Sequence, residues 1–274
     1  GGIRGQFFAV CSMKRYRGLR ETLEMIACYH HNIIDNEHKI GHVNLYSDIQ
    51  TLNDQGRIAA ILAIEGGEAL DGDPLMLDIM YRLGVRSLSL TWNYQNQLAD
   101  SHEEDGERGL SGLGREVINR MEALGMLLDL AHISTRSFFD VLEYATKPPI
   151  VSHANAKFIC NNSRNLSDEQ LKALSQKRGV VGLTFYPRFI ADSIDDCSID
   201  KLIDHFVHIG SIAGVESIAL GSDFDGIDIS MSDIFDCTCY DRLVSGLLTR
   251  GFSHSEVELI TSGNALRILN ENIK

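Results

Sequence analysis

The chain has 274 residues, of which 44% are hydrophobic, and its 25 basic and 38 acidic residues give a formal net charge of -13. This length allows one large α/β domain or two small domains with buried cores. The acidic balance argues against nucleic acid or an anionic membrane surface as a partner. No apolar run reaches the roughly 18 residues that a membrane span requires, so no membrane partner is expected.

Seven apolar runs of strand length follow one another along the chain, and segments of helical periodicity separate them. The runs are nearly continuous in Ile, Leu, Val and Ala, as expected of parallel strands covered on both faces. The predicted strands are residues 6–11, 57–64, 86–91, 125–131, 149–152, 179–186 and 216–222. The predicted helices are residues 19–31, 73–83, 112–124, 135–146, 168–178, 199–213, 240–250, 254–261 and 263–272. Ser134 or Thr135, and the capping-box spacing from Ser167 to Gln170, indicate two helix starts.

This alternation predicts a (β/α)8 TIM-type barrel that forms a single domain over residues 1–274. Eight strands close such a barrel and seven are found, so we expect the first strand to be missing and the domain to be incomplete at its N-terminus. An open doubly wound sheet would also accept seven strands. However, no Gly-x-Gly-x-x-Gly follows an early strand, and polar residues stand at several strand ends.

Cysteine usage and the N-terminus bear on location. The six cysteines include no Cys-x-x-Cys pair, which is typical of a reduced cytoplasmic protein. The close pair Cys237 and Cys239 is interpreted as ordinary packing, in preference to a metal or redox site. No signal peptide is recognised before the first predicted strand, so a cytoplasmic location is expected.

Four predicted strands end in residues that bind metal or move protons. His132 and His153 end two successive strands, and a parallel crossover would place both imidazoles on the same side of one sheet. Glu65 ends an earlier strand and Asp223 ends the last one. Two neutral imidazoles and a carboxylate suit Zn²⁺ or a similar ion with a position left for water. Singly, each residue has a structural interpretation, for example a turn or a helix cap, but the four together favour a metal site with Asp223 as the proton carrier.

Other candidates remain open or are less favoured. The planar guanidinium of Arg164, in the loop after His153, suits a substrate carboxylate, and a surface salt bridge is an equal alternative. His205 and His208 lie three residues apart on one predicted helix, and structural packing is favoured over metal binding there. Because no phosphate loop or Gly-x-Ser-x-Gly elbow occurs, nucleophilic serine or cysteine catalysis has little support.

At these residues the sequence resembles the membrane (renal-type) dipeptidase family, peptidase family M19 of the amidohydrolase superfamily. The matching strings follow the family's order over essentially the whole chain. They are residues 1–8, 64–67, 128–134, 151–153, 163–165, 221–226 and 263–267.

The resemblance implies a metallo-dependent hydrolase barrel with two zinc ions, bridged by the carboxylate at Glu65. His132 and His153 would complete one zinc. Asp223 would be the proton shuttle, and Arg164 would bind the C-terminal carboxylate of the substrate. The implied reaction is hydrolysis of the peptide bond of a dipeptide by a metal-activated hydroxide. Family members often form dimers, so a homodimer is an expectation. A metal-dependent amidase or lactonase of the same superfamily, and a metal-poor non-catalytic homologue, remain the alternatives.

Two departures from the family pattern stand out. The His-x-Asp pair that holds the family's other zinc does not occur near the N-terminus. Where many members have Thr-His, with an imidazole that helps to stabilise the oxyanion, this chain has Thr91, Trp92 and Asn93. The indole of Trp92 can only donate a hydrogen bond, so we interpret it as a lid or pocket wall. Trp92 and Asn93 are predicted to line the substrate site.

Overall fold

The computed structural model of the protein describes residues 2–13, 18–104 and 106–274. Two compact units divide the chain. The amino-terminal unit comprises Ile3–Lys147 with Leu269–Lys274, and the carboxy-terminal unit includes Pro148–Ile268. The single domain expected over residues 1–274 therefore stays a prediction.

The amino-terminal unit alternates strands and helices. Its strands are β1 (Gly5–Cys11), β2 (Ile40–His42), β3 (Ile58–Glu65), β4 (Val85–Ser89) and β5 (Leu127–Asp129). Its helices are α1 (Leu19–Asp35), α2 (Tyr46–Asp54), α3 (Met76–Arg82), α4 (Gly112–Leu124) and α5 (Thr135–Tyr144). A short 3₁₀ turn, Gly67–Leu70, follows β3.

Strand β3 is the centre of this unit's sheet. Strand β1 pairs with it in parallel from Gly5 opposite Ala59 to Cys11 opposite Glu65. Strands β2 and β4 pair in parallel with successive parts of its other edge, and β5 pairs in parallel with β4. Residues 59–64 of β3 are all buried. A strand covered on both faces needs apolar side chains at every position, which is why this run shows no alternation.

The carboxy-terminal unit continues the alternation. Its strands β6 (Ile150–Val151), β7 (Val180–Leu183) and β8 (Ile218–Leu220) pair in parallel in that order. Its helices are α6 (Asp168–Gln176), α7 (Pro187–Ile190), α8 (Ile199–Ala213), α9 (Tyr240–Thr249), α10 (His254–Glu258) and α11 (Asn264–Asn272), whose last residues belong to the other unit. Leu259–Gly263 forms a π-helical turn before α11. None of the helices in the described ranges is both long and apolar enough to cross a membrane.

The structure confirms all seven predicted strands and the parallel α/β class. It adds strand β2 and helices α2 and α7, which the sequence pattern did not predict. Strand β2 has only three residues, including Gly41, and α7 has four residues, so neither offers a periodic run. Both predicted helix starts are confirmed. The Ser134 side chain accepts a hydrogen bond from the backbone N–H of Ser137, and Ser167 forms a capping box with Gln170.

Candidate functional site

Glu65 is the last residue of β3, and a glycine turn sets the direction in which the chain leaves it. Gly66 has φ 96°, and a Cβ placed there would lie 2.4 Å from Glu68 Oε2. Its N–H donates to the side-chain oxygen of Ser89, at the end of β4, over 2.8 Å. A residue with a side chain would be strained here and would also collide, so the glycine after Glu65 is a structural requirement of this strand end.

His132 lies three residues beyond β5, in a tight turn. The backbone N–H of Ala131 donates to Asp129 Oδ1 over 2.9 Å, which bends the chain as it leaves the strand. His132 itself has φ 65°, a left-handed conformation that is uncommon outside glycine. The imidazole is 7% exposed, and its Nε2 lies 2.8 Å from Glu65 Oε1. The amino-terminal unit thus brings together two of the predicted metal ligands.

Asn93 contacts the other side of the His132 ring. Its Oδ1 lies 2.8 Å from His132 Nδ1 and 3.2 Å from His102 Nε2. The two imidazole rings are 5.7 Å apart, centroid to centroid. Asn93 was predicted to contact substrate, and in the structure its side-chain oxygen faces these two histidines.

Trp92 stands beside the same histidine. Its ring centroid lies 6.4 Å from that of His132 and 5.9 Å from that of Tyr94. The indole is half-buried, so one part of it remains accessible next to the Glu65–His132 contact. This position suits a pocket wall, and a role towards substrate stays a prediction.

In the carboxy-terminal unit, His153 and Arg164 are neighbours. His153 follows β6, and its Nδ1 lies 2.8 Å from the hydroxyl oxygen of Ser152. Arg164 Nη2 donates to the backbone oxygen of His153 over 3.2 Å, and the guanidinium carbon lies 5.6 Å from the centre of the Phe189 ring. Arg164 is only 6% exposed, so the alternative of a surface salt bridge is wrong. A buried guanidinium beside a strand end is suited to binding an anionic group.

Asp223 comes three residues after β8 and is half-buried. Like His132, it has a left-handed backbone, with φ 62°. Its carbonyl oxygen accepts a hydrogen bond from the N–H of Gly226 over 3.0 Å, which closes a tight turn. A Cβ at Gly226 would lie 2.2 Å from Asp223 Oδ1, so the carboxylate folds back over this glycine. This geometry is compatible with both interpretations of Asp223, as a turn residue and as a proton carrier.

Two weaker candidates have structural explanations. His205 on α8 is fully buried, with Nε2 2.9 Å from the oxygen of Ile190 and Nδ1 accepting from the N–H of Ala156 over 3.1 Å. Burial lowers the pKa of His205 to about 4, so the imidazole is neutral and already satisfied at both nitrogens. Packing, as predicted, is confirmed for His205. Cys237 and Cys239 are free cysteines in a short 3₁₀ turn.

Sequence reasoning missed two contributors near the Glu65–His132 contact. The sequence carries no signal for His102, because no spacing rule connects it to His132. Glu68 is 9% exposed, and burial is the main cause of its raised pKa, with a smaller contribution from Glu65. Asn96 donates to its Oε1 over 3.0 Å. Only the string Glu-Gly-Gly-Glu hinted that a second carboxyl group follows the first.

The strand ends of this parallel α/β chain carry a carboxylate, two imidazoles, an arginine and a second carboxylate, which are the residue types expected of the class of metal-dependent hydrolases. Comparison with known sequences gives the family. The pattern of the membrane dipeptidase family, peptidase family M19, matches residues 1–274. The chain therefore belongs to this family, which is one of metallopeptidases.

Named dipeptidases are among the similar sequences. Dipeptidase aclJ of Aspergillus oryzae is 32% identical over 262 residues, which cover 94% of this chain and 62% of that protein. Dipeptidase tcpJ of Claviceps purpurea is 32% identical over 226 residues, covering 82% of this chain and 53% of that protein. The chain thus spans between about half and two thirds of the length of these relatives.

Solved structures confirm the fold. The metallopeptidase dipeptidase AC superposes with a TM-score of 0.92 at 24% identity, over 100% of this chain and 87% of that one. A metallopeptidase from Rhodobacter sphaeroides, bound to a phosphinate mimic of the dipeptide L-Ala-D-Ala, gives 0.91 at 22% identity, over 99% and 87%. The predicted fold class, the TIM-barrel-like α/β fold of these metallopeptidases, is confirmed.

Proposed function

We propose that this protein is a zinc-dependent dipeptidase and that Glu65, His132 and His153 together bind the metal. The observation that carries the proposal is the 2.8 Å contact between His132 Nε2 and Glu65 Oε1, formed by two strand-end residues in a chain of the M19 family. Membership supports the reaction class, and the contact supports the place where it occurs.

The donor set fits zinc. Imidazole nitrogen and carboxylate oxygen are both zinc ligands, and three protein ligands with an open position are typical of catalytic sites. Each imidazole also has a partner at its other nitrogen, Asn93 for His132 and the Ser152 hydroxyl for His153, as metal-binding histidines usually do. When bound, such a metal would activate a water molecule and polarise the scissile carbonyl.

The remaining predicted residues take the other steps of a hydrolysis. Asp223 would accept a proton from the attacking water and return it to the leaving amine. Arg164 would bind the free carboxylate of the dipeptide through its planar guanidinium. Trp92 would bound the pocket beside His132. The resemblance also implies a second zinc ion held by a His-x-Asp pair, which does not occur in the printed sequence, and this second ion stays a prediction. A homodimer and a cytoplasmic location stay predictions.

Hydrolysis of defined dipeptides tests the proposal. The purified chain, supplied with zinc, is expected to cleave L-Ala-L-Ala or L-Ala-D-Ala and to leave the C-terminally amidated analogues almost untouched. The second dipeptide is included because a related structure holds a mimic of it. The variant Asp223→Asn should lose most of the activity. Cleavage of the amidated analogues as fast as the free dipeptides would instead favour the amidase alternative.

The variant Arg164→Ala also distinguishes a dipeptidase from an amidase or lactonase. Because a hydrogen bond to a charged group contributes about 1.5–3 kcal/mol, we expect KM for a free dipeptide to rise by roughly 10- to 150-fold. The change should be much smaller for kcat. Arg250→Ala, which removes an exposed arginine paired with Asp204, is the matched control. An unchanged KM in Arg164→Ala would argue for an amidase or lactonase.

A further inference from the structure

We infer that Asn93 is a positioning residue for the metal ligand His132, and that it acts by accepting a hydrogen bond from His132 Nδ1. The inference rests on the proposed function, because it assigns His132 Nε2 to the metal. Asn93 contacts His132 at Nδ1, whereas Glu65 contacts it at Nε2.

The side-chain oxygen of Asn93 contacts two imidazole rings. Asn93 Oδ1 lies 2.8 Å from His132 Nδ1 and 3.2 Å from His102 Nε2. A neutral imidazole carries one N–H and one lone pair. If Nε2, which faces Glu65, offers its lone pair to a metal, then Nδ1 must carry the proton. Nδ1–H needs an acceptor, and the amide oxygen of Asn93 supplies it. The same oxygen fixes His102 with its proton on Nε2.

The backbone of this loop reinforces the contact. The N–H of His102 donates to the carbonyl oxygen of His132 over 2.9 Å, and the N–H of Ser134 donates to the oxygen of Asp100 over 2.9 Å. The hydroxyl of Ser101 donates to the carbonyl oxygen of Asn93 over 2.6 Å, which ties the two ends of the loop together. The loop between Asn93 and His102 therefore holds both the side chain and the backbone of His132.

This arrangement explains how His132 keeps an unfavourable backbone. A left-handed conformation is costly for a residue with a side chain and persists only where the surroundings fix it. At φ 65° the ring of His132 is directed towards Glu65. Without Asn93 the ring could rotate or change its protonated nitrogen, and the free energy of ordering it would then be taken from metal binding.

Zinc affinity of the metal-free 274-residue chain is the first readout. Loss of a hydrogen-bond partner behind a metal-binding histidine typically lowers affinity 10- to 100-fold, and we expect a loss of that size in Asn93→Ala. Asn93→Asp keeps an oxygen acceptor of the same shape and should restore the affinity to within a few-fold of wild type. Asn119→Ala is the control, because it removes an exposed amide that donates to the Tyr144 hydroxyl.

The second readout is the protonation pattern of the His132 ring, from ¹⁵N NMR of the zinc-loaded protein. In wild type we expect zinc on Nε2 and the proton on Nδ1, with that pattern lost or mixed in Asn93→Ala. Zinc on Nδ1 of His132 in wild type would overturn the inference, even if Asn93→Ala does not fold. An unchanged zinc affinity in a folded Asn93→Ala variant would also overturn the inference. The same would follow if Asn93→Asp lost as much zinc affinity as Asn93→Ala. If wild type binds no zinc at all, the proposed function itself fails, and this inference fails with it.

Discussion

At the scale of single residues, two predicted site residues share an unusual backbone. His132 and Asp223 both have positive φ, and among the described residues only Asp71 and Arg178 do so besides glycines. Strained conformations of this kind concentrate at functional sites, where the surrounding structure fixes them. Each residue lies three positions after the end of a strand, His132 after β5 and Asp223 after β8. This supports their proposed roles as ligand and proton carrier.

Gly66→Ala tests how strictly the turn after Glu65 needs glycine. The control is Gly56→Ala, since Gly56 also has positive φ, 72°, but a Cβ there meets nothing within 4 Å. A left-handed alanine alone should cost about 1–2 kcal/mol of unfolding free energy. At Gly66 the collision with Glu68 adds to that cost, so we expect a clearly larger loss in urea unfolding. Equal losses in the two variants would show that the contact with Glu68 is unimportant.

The sequence predicted the site unevenly at this scale. Glu65, His132, His153 and Asp223 could be proposed as site residues because each follows an apolar run of the kind expected of a buried strand. The contacts of Asn93 with His132 and His102 could not be predicted. They depend on how a loop without periodicity folds over a neighbouring strand end, and hydrogen bonds across such a loop leave no spacing rule in the sequence.

At the scale of elements, α8 is fastened by a buried histidine. His205 joins α8 to the end of α7 at Ile190 and to the loop after β6 at Ala156. Both bonds require a neutral ring, which donates from one nitrogen and accepts at the other. The packing of this helix is thus linked to proton binding.

The stability of the protein should consequently fall in mild acid. Burial lowers the pKa of His205 to about 4, against 6.5 when exposed, so the unfolded chain binds a proton that the folded chain does not. The stabilisation is complete above about pH 6.5 and is lost progressively towards pH 4, by about 3 kcal/mol. His42, with a pKa lowered to about 4 by burial, acts in the same direction.

His205→Gln provides the test, since glutamine can keep an N–H donor and an oxygen acceptor without titrating. Urea unfolding at pH 7 and at pH 4.5 should show a smaller loss of stability in the variant than in wild type. If the two proteins lose the same free energy between these pH values, His205 does not carry the pH dependence.

Ser167→Ala tests the predicted start of α6. The Ser167 side chain accepts from the N–H of Gln170, and the Gln170 side chain bonds back to the N–H of Ser167. Removing a capping serine costs about 1 kcal/mol of stability. Ser175→Ala, later in the same helix, removes an exposed bond to the oxygen of Lys172 and should change the unfolding free energy little. Equal effects would show that the cap contributes nothing.

Among the elements, long periodic segments were predicted well and short ones were not. Strand β2 pairs with β3 through only three residues, and the backbone pairing that defines it is made with a strand distant in sequence. Helix α2 begins where Asp48 accepts hydrogen bonds from the N–H groups of Asn44 and Leu45. Such a start uses an acidic side chain inside the helix and lacks a Ser or Thr signal before it.

At the scale of the whole molecule, the family assignment covers residues 1–274, and the fold shared with two solved metallopeptidases covers 99–100% of the chain. Metal binding should therefore be a property of the folded chain and should stabilise it. A ligand present at 100 times its Kd raises the unfolding free energy by about 2.7 kcal/mol. Zinc should raise the melting temperature of wild type and leave that of His132→Asn nearly unchanged. A zinc-dependent rise of the same size in His132→Asn would place the metal elsewhere.

A calorimetric zinc titration of the metal-free, folded chain beside its His153→Asn variant tests whether Glu65, His132 and His153 bind the metal. Wild type should bind at least one zinc per chain, and His153→Asn should bind it at least 100-fold more weakly, because one of three ligands is lost. A folded wild type that binds no zinc, or a variant that binds it as tightly as wild type, would show that these residues do not hold the metal.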